Sequence, residues 1–167
     1  MMERSKKVIF VSHCILNQNT VVPPLARAKG PYRDIIDAIL DYGIGIHQLP
    51  CPEYRHLGLK RKPMTKEEYD TEEYRKLCKD IAKDTVSIMK EYLDNGYDIV
   101  GLIGINDSPT CSIMGTKGIL MEELLALLEE ENIELNLQDV PIDYYDGEEG
   151  KEFIHRLKGF LGNLNKI

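Results

Sequence analysis

The stretch "YDIVGLIGI" (97–105) is an almost unbroken apolar run, and it decides the fold class of this 167-residue chain. Two similar runs, "KKVIFVSH" (6–13) and "GIGIHQLP" (43–50), lie upstream of it. Short runs of this kind, rich in Val and Ile, are typical of parallel strands that are buried on both faces. We therefore predict three such strands, and a fourth within "IELNLQDVPI" (133–142).

Helical patterns lie between and after these runs. They fall at "PYRDIIDAILDYG" (31–43), at a long segment that starts at Thr65 or Thr71 and stops at Gly96, at "KGILMEELLALLEEEN" (117–132) and at 148–161. We predict that Leu40 lies on the apolar face of the first helix and that Ile88 lies on the apolar face of the long helix. Strands that alternate with helices predict right-handed crossovers. We expect one three-layer α/β domain over 1–167, Rossmann-like, with a mostly parallel sheet of about four strands.

Composition and charge exclude some classes of function. The chain is 43% hydrophobic, enough for a core, and its net charge of −7 argues against general nucleic-acid binding. The charge is uneven, because residues 1–63 hold 10 of the 21 basic residues but only 5 of the 28 acidic ones. No apolar run approaches the roughly 18 residues of a membrane span, and the first is too short for a signal peptide. We therefore expect a cytoplasmic protein without membrane contact.

Three of the four cysteines directly follow predicted strands. Cys14 comes after the first strand, Cys51 after the second and Cys111 after the third. Ligands of open parallel sheets bind beyond the carboxyl ends of the strands, so these three thiols are candidates for one site. Two prolines flank Cys51 and restrict the direction of its sulfur. Cys78, by contrast, falls on the apolar face of the long helix, where a packed and inert thiol is expected.

Two interpretations of the three thiols remain open at this point: one shared site, or three unrelated buried cysteines. A structural zinc site usually has four protein ligands, often as closely spaced cysteine pairs, and this chain has no such pair. Iron–sulfur clusters accept dispersed thiolates, and most of them use four. A cluster with three cysteines would leave one iron open to a sulfur atom of a substrate.

Three segments resemble the motifs of the thiouracil desulfurase family: "VSHCILN" (11–17), "CPEYRHLGLKRKP" (51–63) and "SPTC" (108–111). They occur in that order over roughly the first 115 residues. The resemblance implies a [4Fe-4S] cluster bound by three cysteines, which here are Cys14, Cys51 and Cys111. It also implies an enzyme that removes sulfur as sulfide, without redox chemistry, from a thiolated nucleobase or a similar small thiocarbonyl compound.

The chain departs from the family pattern around the cysteines. The segment "NQNTVV" (17–22) stands where the family has small residues and often a second cysteine. "HLGLKRKP" (56–63) replaces a segment with two adjacent glycines, and Ser112 replaces the usual glycine after the third cysteine. The ligands are retained while their surroundings differ, so we expect a divergent member whose substrate need not be thiouracil.

Several polar residues beside the cysteines are candidates for catalysis. Glu53 is predicted to orient or deprotonate the attacking water, and pairing with Arg55 is the alternative. Asp107 is the next carboxylate candidate. Ser108 is predicted to donate a hydrogen bond to the substrate, and a local bond to nearby backbone is the alternative. His56 is the histidine expected near the substrate.

Two further expectations concern charge and orientation. A basic run can meet an anionic group or can simply be a solvated loop; it comprises Arg55, Lys60, Arg61 and Lys62. His13 is expected to point away from Cys14, because neighbouring residues of an extended strand face opposite sides.

Two other classes of function compete with the desulfurase. A non-catalytic iron–sulfur sensor would keep the cluster and lack the chemistry. A small cysteine phosphatase, or a related arsenate reductase, also begins with a strand that ends at a cysteine. Its phosphate loop needs Cys-x5-Arg, but the sixth residue after Cys14 is Thr20, and Arg55 is too close to Cys51.

Overall fold

The structure is a computed structural model that describes residues 3–162, so residues 1–2 and 163–167 of the predicted 1–167 domain lie outside it. The strands are β1 (Lys7–Val11), β2 (Gly45–Gln48), β3 (Asp98–Ile105) and β4 (Leu137–Val140). The α-helices are α1 (His13–Leu16), α2 (Arg33–Asp41), α3 (Pro52–Leu57), α4 (Lys66–Tyr69), α5 (Glu72–Asp94), α6 (Ile119–Glu130) and α7 (Lys151–Gly162). None of these helices combines the length and apolar character needed to cross a bilayer.

The four strands form one parallel sheet in the order β2-β1-β3-β4. This arrangement confirms the predicted α/β class with a parallel sheet of four strands. β1 lies between β2 and β3, so the segments that follow these three strands all leave the same edge of the sheet side by side. Open α/β sheets bind ligands at this carboxyl edge.

Helices cover both faces of the sheet and give it two cores. Ile9 and Val11 of β1 pack with α2 and α7 on one face. Val8 and Phe10 of the same strand pack with α5 and α6 on the other face. Burial of each large apolar side chain stabilises the fold by roughly 1.5–3 kcal/mol, so the two layers together fix the sheet edge in place.

The helix starts follow the local signals in the sequence. Thr65 and Glu68 form the expected capping box of α4: the Thr65 hydroxyl accepts from the Glu68 N–H at 3.1 Å, and the Glu68 carboxylate accepts from the Thr65 N–H at 3.1 Å. Thr71 caps α5 by accepting from the Tyr74 N–H at 3.2 Å. Both predicted starts are used, because the chain leaves helical geometry at Asp70 and begins a second helix.

Two positions predicted to lie on buried helix faces are exposed. Leu40 is 57% exposed and Ile88 is 37% exposed. Leu40 directly follows the fully buried Ile39 in α2, and Ile88 directly precedes the fully buried Met89 in α5. One residue of an α-helix turns the side chain by about 100°, which takes these two out of the stripe that meets the sheet.

Candidate active site

Three cysteines line one cavity at the carboxyl edge of the sheet. The cavity has a volume of about 210 Å³, and Cys14, Cys51 and Cys111 are all in its wall. Cys78 does not line the cavity; it is fully buried in an apolar cluster with residues of α6, and Cys111 packs against the edge of that cluster. The structure therefore brings together the three thiols that follow strands and leaves the fourth in the core.

Cys14 is held by a short helix that starts immediately after β1. Ser12 is the residue before α1, and its N–H donates to the Ile103 carbonyl of β3 at 3.0 Å. The expectation for His13 is wrong, because the chain has left the strand by this residue and His13 lines the cavity together with Cys14. His13 Nδ1 lies 3.1 Å from the Leu49 carbonyl, which links the end of β1 to the end of β2.

Cys51 is the residue before α3, and its backbone has the extended conformation expected of a residue that precedes a proline (φ −94°, ψ 108°). Pro52 then occupies the first turn of α3, where its missing N–H costs nothing. The sulfur of Cys51 accepts a hydrogen bond from the Tyr54 N–H at 3.4 Å. The segment 52–57, interpreted from the sequence as part of a basic loop, is thus a helix that positions this thiol.

Cys111 lies in a tight loop after β3 that Ser108 organises. The Ser108 hydroxyl oxygen accepts from the Thr110 N–H at 3.2 Å and from the Cys111 N–H at 3.0 Å. Two glycines let the loop pack closely against its neighbours: a Cβ on Gly104 of β3 would clash with the Cys111 carbonyl, and one on Gly118, just before α6, would clash with the Thr110 backbone. The local role considered for Ser108 is present, and its hydroxyl proton remains free for another acceptor.

Glu53 lies at the centre of a buried hydrogen-bond network. One carboxylate oxygen accepts from Arg61 Nε at 3.3 Å and from the Tyr69 hydroxyl at 3.1 Å. The other oxygen accepts from the Thr110 hydroxyl at 2.7 Å, and Thr110 contacts the Tyr74 hydroxyl at 2.7 Å. The residue is only 7% exposed. Glu53 therefore joins the Cys51 segment to the Cys111 loop while it lines the cavity.

The partner of Glu53 is Arg61, not Arg55 as the alternative suggested. Arg61 is 8% exposed, and its other nitrogens donate to the Gly58 carbonyl at 3.1 Å and the Thr20 carbonyl at 2.7 Å. Arg55 is exposed, as are Lys60 and Lys62. The basic run is therefore mixed: Arg61 is a buried structural residue.

His56 is also placed differently from the prediction. It is not in the cavity wall; its ring lies 5.1 Å from that of Tyr74. Its position follows from α3, which turns the residues after Glu53 away from the cysteines. His13 is the histidine that lies in the wall of the cavity.

Burial controls the ionisation of the clustered thiols. Burial, with smaller contributions from Cys51 and Glu53, raises the pKa of Cys14 to about 12. Burial also raises the pKa of Cys51 and, more strongly, that of Cys111, where the neighbouring Cys14 adds to the effect. These raised pKa values favour the protonated form of the three thiols at neutral pH, so a cation or cluster that binds there must displace the protons.

The spacing of the three thiols decides what kind of metal group they could hold. Within residues 3–162, no group of three His, Cys, Asp or Glu side chains is close enough to hold one ion. Thiolates that bind one zinc at about 2.3 Å must lie within about 4 Å of one another, whereas each thiolate of a cluster binds its own iron and can lie farther away.

The hydroxyl of Ser12 also bears on what the three cysteines could hold. It is buried and has no hydrogen-bond partner among the described residues. It lies near enough to Cys111 to favour the thiolate form of that residue, which partly offsets the effect of burial on its pKa. An unpartnered donor beside a cysteine suits the sulfur atoms of a cluster, which accept hydrogen bonds.

The sequence did not reveal the residues that connect the three cysteine segments. Thr110 and Tyr69 hold Glu53, and Asp139 at the end of β4 accepts from the N–H groups of Ile113 and Met114, at 2.8 Å in the shortest of these bonds. These are contacts between distant parts of the chain. The one local signal was the position of Asp139 at a strand end, where polar residues of α/β sheets collect.

Comparison with known proteins identifies the family of the chain. A family model described as "Putative 2-thiouracil desulfurase" matches residues 6–133, which include all three cysteines of the cavity. An uncharacterized protein of Methanocaldococcus jannaschii is 44% identical over 138 residues, which cover 83% of this chain and 88% of that protein. No solved structure matches significantly. The extent of the family match shows that the chain belongs to the 2-thiouracil desulfurase family.

Proposed function

We propose that this protein is an iron–sulfur-dependent, non-redox desulfurase that releases sulfide from a small thiocarbonyl compound. The observation that carries the proposal is the convergence of Cys14, Cys51 and Cys111 on one cavity. Membership of a family described by desulfurase activity supports the same reaction class. The three cysteines would hold a [4Fe-4S] cluster.

The reaction balances without an oxidant or a reductant. Water adds its oxygen to the thiocarbonyl carbon, the carbon–sulfur bond breaks, and sulfide leaves with the two protons of the water as H₂S. When bound, the cluster supplies an iron without a protein ligand, a Lewis acid that attracts the sulfur of the substrate. The protein must therefore position the ring, activate the water and exclude competing ligands.

Residues of the cavity wall meet these requirements. Ser108 uses its oxygen to accept two backbone N–H groups, so its hydroxyl proton can be donated to a ring atom of the substrate. Two carboxylates of the wall can take a proton from water: Glu53, beside Cys51, and Asp107, which is exposed and has a left-handed backbone (φ 62°). Left-handed conformations of residues other than glycine cluster at functional sites.

The test is anaerobic reconstitution with iron and sulfide, followed by absorbance spectroscopy and a sulfide assay over a panel of thiolated bases. Single Cys→Ser variants of Cys14, Cys51 and Cys111 should each lose most of the cluster absorbance. Cys78→Ser is the matched control and should keep it, because that thiol does not line the cavity. A melting curve shows whether any variant has lost its fold instead.

The outcomes separate the competing functions. Full absorbance in any of the three variants removes that residue from the ligand set. A cluster without sulfide release from any compound contradicts the desulfurase and leaves the sensor. A colourless protein contradicts both.

Glu53→Gln and Asp107→Asn distinguish the two carboxylates. The variant that lacks the base should keep the cluster and a substrate-induced spectral change, while sulfide release falls by roughly 10²- to 10⁴-fold. If neither variant changes the rate, no carboxylate of this pair activates the water.

A further inference from the structure

The hydroxyl of Ser12 is a buried donor that the fold itself does not use. Ser12 is 1% exposed, and among residues 3–162 its hydroxyl oxygen is the only buried side-chain polar atom without a hydrogen-bond partner. A hydroxyl that has left water without gaining a partner lowers the stability of a protein. Native proteins therefore seldom keep such a group unless a water molecule or a bound group satisfies it.

Ser12 does not have the local role that is common for serine at this position. It is the residue before α1, where a serine oxygen usually accepts a backbone N–H from the first turn of the helix. Here the side chain makes no such bond. Only the backbone of Ser12 is used: its N–H donates to the Ile103 carbonyl at 3.0 Å, and its carbonyl accepts from the Ile15 N–H at 3.1 Å. The residue is thus fixed in place while its hydroxyl stays free.

The hydroxyl of Ser12 lies near the sulfur of Cys111. β3 holds both residues, because the Ile103 carbonyl accepts from the Ser12 N–H and the Ile105 N–H donates to the Cys111 carbonyl at 3.0 Å. Burial raises the pKa of Cys111, and the Ser12 hydroxyl opposes this effect, although the two groups are not aligned as a full hydrogen bond. Ser12 is not in the cavity wall, so it reaches Cys111 from within the protein and not from the space that a substrate would occupy.

We infer that Ser12 is a positioning residue for the iron–sulfur site: when the Cys111 sulfur binds iron, the Ser12 hydroxyl donates a hydrogen bond to it and increases the attraction of the cluster for the sulfur of the substrate. Thiolates bound to iron remain hydrogen-bond acceptors, and donors to them are among the features that set the reduction potential of a cluster. A donor draws electron density away from the sulfur, so the irons become stronger Lewis acids. The inference rests on the proposed function, because it needs the cluster.

The first experiment measures the melting temperature of the cluster-free protein. Ser12→Ala should leave it unchanged or raise it by up to about 4 °C, because the variant removes a buried donor that has no partner. Ser112→Ala is the matched control, since Ser112 is also buried but its hydroxyl accepts from the Asp107 N–H at 3.2 Å and donates to the Met114 carbonyl at 3.0 Å. This control should melt at a lower temperature than the wild type. A lower melting temperature for Ser12→Ala means that the hydroxyl already has a partner without the cluster, and it overturns the inference.

The second experiment uses protein reconstituted anaerobically with iron and sulfide. Ser12→Ala should lower the reduction potential of the cluster and raise its iron–sulfur stretching frequencies in resonance Raman spectra, because the Cys111 sulfur then binds iron more strongly. The dissociation constant of 2-thiouracil, followed by its spectral change, should rise severalfold and by at most about tenfold, the effect of one hydrogen bond. A merely structural role of Ser12 would move none of these three quantities.

Two further variants assign the changes to the hydroxyl. Ser12→Thr keeps the donor and should retain the reduction potential of the wild type, and its melting curve shows whether the added methyl group is tolerated. Thr85→Val removes a buried hydroxyl elsewhere, one that donates to the Ile81 carbonyl at 2.8 Å within α5 and does not line the cavity. This control should leave the potential and the Raman frequencies unchanged.

The outcomes separate this inference from the proposed function. A cluster whose potential, Raman spectrum and affinity for 2-thiouracil are the same in Ser12→Ala and in the wild type overturns the role of Ser12 and leaves the desulfurase standing. A cluster whose potential and Raman spectrum shift as expected, but which releases no sulfide from any thiolated base, supports the role of Ser12 and contradicts the desulfurase. Absence of a cluster from the reconstituted wild type contradicts both.

Discussion

Glu53→Gln removes one charge from a buried pair, and we expect it to lower the free energy of unfolding by about 3 kcal/mol. The side chains of Arg61 and Glu53 are only 3% and 10% exposed, so water does not compensate the arginine when its partner is neutral. Loss of one member of such a pair costs roughly 3–5 kcal/mol. The lower end applies because glutamine keeps the size of Glu53 and can still accept from Arg61 and Tyr69.

The structure also predicts how a second change would act. Arg61→Met alone should be more harmful than Glu53→Gln, because it leaves a buried carboxylate and two unpaired carbonyls, those of Gly58 and Thr20. The double variant should lose less stability than the sum of the two, by roughly 0.5–3 kcal/mol, since neither charge is then left alone. Glu148→Gln is the control, because that side chain is 90% exposed and should change stability by no more than about 0.5 kcal/mol.

Urea denaturation followed by circular dichroism measures these values. For a chain of this size, a loss of about 3 kcal/mol corresponds to a melting temperature roughly 6–12 °C lower. A midpoint for Glu53→Gln that equals the wild type, or a strictly additive double variant, refutes the interpretation that the pair joins the cysteine segments.

Three further predictions follow from other contacts. Gly118→Ala should destabilise the protein by about 1–3 kcal/mol, because the new methyl group clashes with the backbone of the third cysteine loop, and under the proposed function it should also lower cluster loading. Gly159→Ala, at an exposed position of α7 with open space around it, should be neutral or stabilise by up to about 1 kcal/mol, as measured by urea denaturation. Burial raises the folded-state pKa of Asp139 above 3.8, so its ionisation costs stability as pH rises from the unfolded-state value through the folded one. Asp139→Asn does not titrate, and its stability relative to wild type should therefore increase over that pH range; a difference that stays constant or decreases contradicts this assignment. Arg27→Lys should keep the melting temperature within about 2 °C of wild type, since the half-buried guanidinium has no ion pair or side-chain hydrogen bond to lose among the described residues and lysine keeps a positive charge near the Tyr145 ring.

The sequence was sufficient for the sheet because its central strands, β1 and β3, are buried on both faces. The same burial was predicted for β2 and is wrong, because β2 is an edge strand whose residues are exposed or half-buried. "YDIVGLIGI" (97–105) contains all of β3, and the runs upstream contain β1 and β2. The positions of the cysteines after these strands were visible for the same reason. The capping box of α4 was also visible, because both of its partners lie within four residues of each other.

The rest of the site depends on contacts that no local pattern contains. Glu53 and Thr110 are 57 positions apart, and Arg61 and Thr20 are 41 apart. Nothing in the basic run distinguishes the buried Arg61 from its exposed neighbours. The direction of the His13 side chain was predicted wrongly because β1 ends at Val11, two residues before the end of the quoted run. An error of two residues in a strand boundary is enough to change the predicted direction of a side chain.

The order β2-β1-β3 sets a constraint on biosynthesis. Cys14 and Cys111 are 97 residues apart in the chain, and they face one cavity because β1 and β3 pair directly. A ribosome that has produced only the first two cysteine segments has not yet made the strand that carries the third. If the three cysteines hold the proposed cluster, iron and sulfide delivered to such a nascent chain would meet an incomplete ligand set, and loading must follow the pairing of β3 with β1.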